Sequence, residues 1–457
     1  ARSCRQRNNH LASADALGRL LLFRRRTPTT MCTQSAPSAI AALMAYLDAS
    51  PTAYHATANA RARLELAGFT ALDEGAAWSL QPGRGYFVER NQSALIAFRV
   101  GTGCLAADGF RLVAAHTDSP APKLKWRGAA ERSGVLRIPV ESYGGMLQST
   151  WFDRPLAIAG RVAVKAADGG VRWQLVLSSR PLAIIPSLAI HLNREVNQGA
   201  AINVQQHLAA LCGACSFADI LKELCGATPA ELLDADLFLA DCQLATLCGV
   251  NQDIINAPRL DNLCSCQAAL DAIIAAPPAA ATPVIFLADN EEVGSETAQG
   301  AASAFWRDTL ERLCLTQSNG DRETIFRALS RSFLLSLDAA HAVHPNYEEK
   351  HDPAYAPVLN RGVVIKNNAS FRYSSTAVSS ALFRQLCRDQ GIAHQDFINR
   401  SDQPCGSTVG PTCAARLGVK AVDAGIPLWA MHSSRESAGV KDQQALTQAV
   451  AALFVMP

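Results

Sequence analysis

Apolar positions along this chain change period several times, and each change marks an element. Ile40, Leu43, Met44 and Leu47 recur at the three-and-four spacing of a helix that Pro51 closes, and a second helix is expected over 56–67 with Gly68 as its stop. Over about 123–192 the period drops to two. There VAVKAADGGVRWQLVL alternates apolar and polar residues around Asp168-Gly169-Gly170, the pattern of a hairpin in a β-rich stretch. Residues 216–248 read as helical again. After Asp261, short apolar strand-like runs alternate with amphipathic segments up to a closing helix near 445–454, which predicts an α/β fold with a sheet flanked by helices. The Ala/Pro-rich segment 275–283 reads as a loop, and no internal repeat is visible.

The residues just past the apolar runs are more informative than the runs themselves. His116, Glu292, Asp338 and His432 each stand just after a segment that reads as a short buried strand, and Asp261 stands in PRLDN. Ligands of open α/β sheets gather at the carboxyl ends of strands. Two divalent cations about 3.5 to 4 Å apart need one bridging carboxylate, with an imidazole and a further carboxylate for each metal. Two histidines and three acids fit that requirement. Because His116 precedes the β-rich stretch and the other four follow it, the domain that holds them must be discontinuous.

The neighbours of these residues fit the same chemistry. Asp118 lies two positions beyond His116, on the same side of an extended chain, where a carboxylate orients a metal-binding imidazole. Glu291 and Glu292 are adjacent and diverge, so one can ligate while the other serves as a general base. Burying Asp338 at the end of FLLSL without a partner would cost several kcal/mol, and a cation is its natural partner. His341 and His344 follow at helical spacing, as further ligands or as residues lining the pocket. Arg435, close to His432, is a candidate partner for a carboxylate. The glycines of GSTVG (406–410) spell neither a phosphate loop nor a nucleophile elbow and suggest close backbone approach to the site.

Composition narrows the class. The chain has 457 residues, 49% of them hydrophobic, enough for two domains with a sizeable core and unlike a disordered protein. Residues 1–30 hold seven arginines against one acid, leaving 35 basic and 39 acidic residues elsewhere, a net of −4 that offers no basic patch for nucleic acid or anionic membrane. Those thirty residues are Arg-rich and acid-poor like a transit peptide. With the first Met at Met31 and the folded pattern beginning directly after it, they are expected to be disordered or foreign to the native fold. No stretch supplies about 18 uninterrupted apolar residues, so a soluble protein is expected. Fourteen cysteines without paired metal-site spacing read as mostly buried reduced thiols, hence a cytoplasmic protein.

Six segments, HTDSP, PRLDN, DNEEVGSETAQGA, SLDAAHAVHPNYEEKHD, PCGSTVGP and MHSSRE, closely resemble in this order the aspartyl aminopeptidases, di-zinc metallopeptidases that remove N-terminal Asp or Glu. The resemblance covers residue 36 to the end. It implies a zinc-peptidase catalytic domain over 31–122 and 256–457, with an inserted β-rich dimerisation domain over 123–255. It implies two zinc ions per subunit, one held by His116, Asp261 and Asp338 and the other by Asp261, Glu292 and His432. Asp261 would be the bridge, Glu291 the general base acting on a bridging hydroxide, and Asp118 the group that orients His116. It further implies dodecamers built from dimers, in which His191, in LAIHLNRE, reaches a neighbouring subunit's site. Lys366 would lie near the substrate's acidic side chain, with Tyr373, Gly406 and Thr408 also binding substrate. A strained or cis peptide between Asp261 and Asn262 is suggested as well. Aminopeptidases of neutral or broad specificity would share every ligand, and a non-catalytic metal-binding scaffold would be expected to have lost Glu291.

Overall fold

A computed structural model describes residues 38–199 and 201–456, so the leader expected over 1–30 lies outside the described residues. The two N-terminal helices form where the periodicity placed them, over Ser38–Ala49 and Ala53–Leu66, the second starting three residues earlier than expected. Ile40, Leu43 and Leu47 are buried, and Gly68 takes a left-handed φ of 81° just past the second helix.

A nine-stranded mixed sheet forms the frame. Its centre is four mutually parallel strands in the spatial order Thr282–Ala288, Phe110–His116, Phe333–Leu337 and Lys420–Gly425. The first three of these are buried along their whole length, as near-continuous Val/Ile/Leu runs require when helices cover both faces. The register aligns their carboxyl ends: Ala288 pairs with His116, Ser336 with Ala114, and Leu337 with Ala424. Helices Leu260–Ala275, Phe305–Gln317, Val409–Leu417 and Val440–Phe454 flank the sheet. Phe98, Phe110, Leu112, Phe286, Phe305 and Leu334 belong to one buried core.

A second, seven-stranded sheet uses residues 121–241 and has its own core around Ile138, Trp151, Ile158, Val162 and Leu237. The hairpin foreseen at Asp168-Gly169-Gly170 joins Leu156–Lys165 to Val171–Leu177. The helical reading of 216–248 holds only for Phe217–Cys225, capped by Ser216 and ended by Gly226 in left-handed conformation. Leu232–Asp241 is instead a ten-residue strand, because it pairs antiparallel with Leu156–Lys165 along nearly its whole length and buries Leu237 and Leu239 against that sheet's core. A third sheet joins Thr246–Cys248 and Ile254–Ala257 to Glu436–Gly439, Pro427–Trp429 and Ala340–His341. Among the described residues, no helix is long and apolar enough to cross a membrane, and the twelve cysteines are free, five of them buried.

Candidate metal centre

The parallel register brings the predicted residues together. His116 ends its strand, Asp338 follows its neighbour, and the chain leaving Thr282–Ala288 turns through Asn290, at φ 62°, into the short turn Glu291–Val293. Asp261 arrives from the third sheet, just after Ile254–Ala257, at the head of Leu260–Ala275. Its peptide bond to Asn262 is cis, as the resemblance suggested. His432 also comes from the third sheet, in a turn after Pro427–Trp429 with φ 66°.

Asp261 lies between the two imidazoles. Its Oδ1 is 3.5 Å from His116 Nε2 and its Oδ2 is 3.5 Å from His432 Nε2. Asp338 Oδ1 is 3.8 Å from His116 Nε2, and Glu292 Oε2 is 3.3 Å from His432 Nε2. Ligand atoms about 2.0 to 2.1 Å from a tetrahedral zinc sit roughly 3.3 Å from one another, so both halves have the spacing of a coordination shell before any ion is placed. His116, Asp261 and Glu292 also place ligand atoms within 4.8 Å of one another. Asp261 Oδ1 and Glu292 Oε1 are buried without a hydrogen-bond partner. A buried carboxylate oxygen in that condition is costly unless a cation satisfies it. The donor set, imidazole nitrogens with carboxylates, suits zinc.

Electrostatics without a cation point the same way. Burial, reinforced by Asp338, Asp118 and Asp261 against the opposing His116 ring, pushes the Glu291 carboxyl up to about 8. Burial and then Asp261 raise Glu292 well above the carboxylate range. Burial works against a charged His432, yet Asp261 and Glu292 outweigh it and lift the ring to about 10. A cation held among these carboxylates would favour their charged forms and oppose the upward shifts of Glu291 and Glu292.

Hydrogen bonds fix the surroundings. His116 Nδ1 lies 3.1 Å from the Asp118 backbone carbonyl and 3.4 Å from its Oδ1, so the main chain shares the orienting role expected of the carboxylate. That carboxylate accepts from the Glu291 and Glu292 amides at 3.1 Å each and from Tyr143 Oη at 2.7 Å. His432 Nδ1 is 3.1 Å from the Gly145 carbonyl. Asn262 donates to the Leu337 carbonyl at 2.7 Å, tying the Asp261 turn to the strand that delivers Asp338. Tyr143, Gly145 and Glu436 were not singled out from the sequence, and Asn262 was named only for its peptide bond to Asp261. Asn262 and Glu436 close the motifs PRLDN and MHSSRE, and that placement is the one signal the sequence offered for their hydrogen-bonding roles.

The remaining candidates are more dispersed. Lys366 is 1% exposed, its Nζ 3.6 Å from Asp338 Oδ2, 3.0 Å from the Ala339 carbonyl and 4.9 Å from the centre of the Tyr373 ring. Thr408 is buried, donates to Asp423 at 2.6 Å and caps Val409–Leu417. Gly406 is exposed, with open space where a Cβ would project; the close approach expected of this motif occurs at Gly410, against Asp423 and Ser336. His341 and His344 line a cavity of about 300 Å³ with Lys350, His351 and Arg400. Arg435 does engage a carboxylate, that of Asp241 at 3.4 Å. His191 is exposed on the short turn Ile190–Leu192, and no hydrogen bond or ion pair among the described residues links it to this centre.

The sequence profile of the family described as aminopeptidase I zinc metalloprotease (M18) matches residues 46–454. A probable M18 family aminopeptidase 2 of Stutzerimonas stutzeri (strain A1501) is 44% identical over 422 residues, covering 90% of this chain and 97% of that protein. Among solved structures, a chain of the Ape4 and Nbr1 complex superposes with a TM-score of 0.86 at 34% identity, covering 91% of this chain and 85% of its own. The S. cerevesiae mApe1 dodecamer superposes at 0.81 with 26% identity, covering 91% and 96%. A match across nearly the whole described chain, together with a relative at 44% identity, places the chain in the M18 family of zinc aminopeptidases, the family of the aspartyl aminopeptidases.

Proposed function

We propose that this M18 aminopeptidase removes N-terminal Asp and Glu from peptides, using two zinc ions per subunit. The observation that carries the metal part is Asp261, whose two oxygens each lie 3.5 Å from a different imidazole. His116 and Asp338 complete one metal position, and Glu292 and His432 the other. Bound zinc supplies Lewis-acid polarisation of the scissile carbonyl and lowers the pKa of water. Glu291 supplies the base: its Oε2, 3.9 Å from His116 Nε2, borders the same space, so it takes the proton of the attacking water and returns it to the departing amine. Asp118 holds the Glu291 and Glu292 amides and the His116 ring in place.

The acidic preference rests on the cations beside the centre, Lys366, Lys350 and Arg400, since burial lowers the pKa of His341 and His351 and favours their neutral forms. Lys366 adjoins Asp338, and the cavity lined by His341, His344, Lys350, His351 and Arg400 starts three residues beyond Asp338 and includes Met431, next to His432. The open space at Gly406, with Thr408 two residues on and Cys405 packed against the cluster of Tyr373, belongs to the substrate path in this reading. Because the Lys366 ammonium already faces Asp338, a broader or neutral specificity is the rival. Zinc content measured together with hydrolysis of peptides starting with Asp, Glu, Leu or Lys tests both parts. Equal turnover of Leu and Asp peptides would sink the acidic reading while leaving the aminopeptidase intact.

The domain over 123–255 is proposed as a dimerisation module inserted into a catalytic domain of 31–122 and 256–457. The separate core within 121–241 and the exposed Leu188, Ile190, Leu192 and Val196 support that assignment. A homo-oligomer, a dodecamer as in the mApe1 structure, would cover them. A cytoplasmic location is proposed on the free cysteines.

A further inference from the structure

Glu436 is 2% exposed, and each of its oxygens accepts from a different backbone amide. Oε2 takes the Asp261 N–H at 2.9 Å, and Oε1 takes the His432 N–H at 2.7 Å. Those amides belong to the residue between the two imidazoles and to one of the imidazoles themselves. The strand that begins at Glu436 is anchored independently. Ala257 pairs with Glu436 across the third sheet, so the segment leading into Asp261 and the segment leaving His432 meet at this residue. Arg435 fixes the same point by donating to Asn256 Oδ1 at 2.8 Å and to the carbonyls of Gln243, Leu244 and Asn256 at 2.7 to 3.0 Å.

The His432 turn has reason to need a clamp. Ala430 and His432 both take left-handed φ values, 55° and 66°, which non-glycine residues hold only where the surroundings dictate them. A carboxylate with two rigidly spaced acceptors dictates the position of both amides at once. We propose that Glu436 is a positioning residue that sets the separation of the two metal positions by holding the Asp261 and His432 backbones at fixed distance, an inference that rests on the di-zinc reading above. Both of its oxygens are taken up by these amides.

Glutamine at this position keeps the shape but presents one acceptor and an amide donor, so one of the two N–H groups faces another donor. Glu436→Gln should therefore bind zinc at the position built on Glu292 and His432 at least tenfold more weakly. Its zinc content, measured by elemental analysis after dialysis against a weak chelator, should fall from two per chain towards one. Glu436→Asp keeps the charge but is one methylene short, and should show the same selective loss. A residue that merely supported the fold would lower the melting temperature of the metal-free protein and leave the folded fraction with two zincs of ordinary affinity. Two zincs at wild-type affinity in either folded variant overturns the proposal. Failure of both variants to fold also overturns it, because Glu436 would then belong to the scaffold. Fewer than two zincs in the unaltered protein would instead remove the di-zinc reading on which the proposal stands.

Discussion

Glu291 and Glu292 are adjacent, yet they face different partners: Glu292 Oε2 lies 3.3 Å from His432 Nε2, and Glu291 Oε2 lies 3.9 Å from His116 Nε2. If Glu291 is the base and Glu292 a ligand, Glu291→Gln should keep both metals and lose turnover by at least ~10²-fold. Metal loss in that variant, read by elemental analysis, would mean the two roles are exchanged. Lys366 allows a comparable test. Lys366→Ala should lower kcat/KM for Asp and Glu peptides more than tenfold relative to Leu peptides, since an ion pair with substrate is lost only for the acidic ones. Equal losses across the panel would assign Lys366 to Asp338, 3.6 Å away, and not to substrate. The five residues that the structure gathers, His116, Asp261, Glu292, Asp338 and His432, were legible in the sequence, because few alternatives to His, Asp and Glu exist for a site of that chemistry. Glu436, Tyr143 and Gly145 were not, nor was the hydrogen bond made by the Asn262 side chain. They act on backbone groups, through their own carbonyls or, for Tyr143, on the Asp118 carboxylate, with partners as far away as 287 positions, and a single sequence carries no mark of such pairings.

At the scale of elements, the runs that deliver the site were readable because strands buried on both faces have a continuous apolar signature bounded by polar residues. Leu232–Asp241 was not, since LLDADLFLAD satisfies helical and alternating patterns at once and its long pairing with Leu156–Lys165 decides the matter. The third sheet was hidden for a related reason: its strands are two to four residues long and are drawn from three distant parts of the chain. The position of Asp338 depends on how closely two central strands pack. A Cβ at Gly425 would fall 1.8 Å from the Asp338 carbonyl oxygen and 2.6 Å from its carbon, both main-chain atoms that cannot rotate away. Gly425→Ala should therefore push the end of Phe333–Leu337 aside, costing about 1 to 3 kcal/mol as an overpacked core substitution does. Thermal unfolding and zinc content should fall together. A folded variant with unchanged melting temperature and full metal would mean that the strands separate freely and that Asp338 is not held by this contact.

For the whole molecule, the first consequence is that folding and metal binding are linked. Asp118, Asp261, Glu291, Glu292 and Asp338 converge on two imidazoles and one ammonium, so stripping zinc should lower the melting temperature. The stabilisation lost is about 4 kcal/mol if free zinc had stood a thousandfold above its dissociation constant. An unchanged melting curve in chelator would argue against a resident metal. The second consequence concerns what a single chain leaves exposed. Leu188, Ile190, Leu192 and Val196, at 59%, 46%, 75% and 41% exposure, surround His191 in one segment of the seven-stranded-sheet region, an apolar run that water penalises and a second subunit would cover. His191 itself has no contact with its own chain's metal centre among the hydrogen bonds and ion pairs of the described residues. If it serves the site of a neighbour, two inactive proteins should complement each other. Glu291→Gln lacks the base but offers an intact His191, and His191→Phe offers the reverse. Mixed under conditions of subunit exchange, they form some sites in which an intact Glu291 faces a neighbour's intact His191, and activity should return to a measurable fraction of wild type. No recovery despite exchange verified by mass, or an active monomer, would place His191 at the interface as a packing residue only.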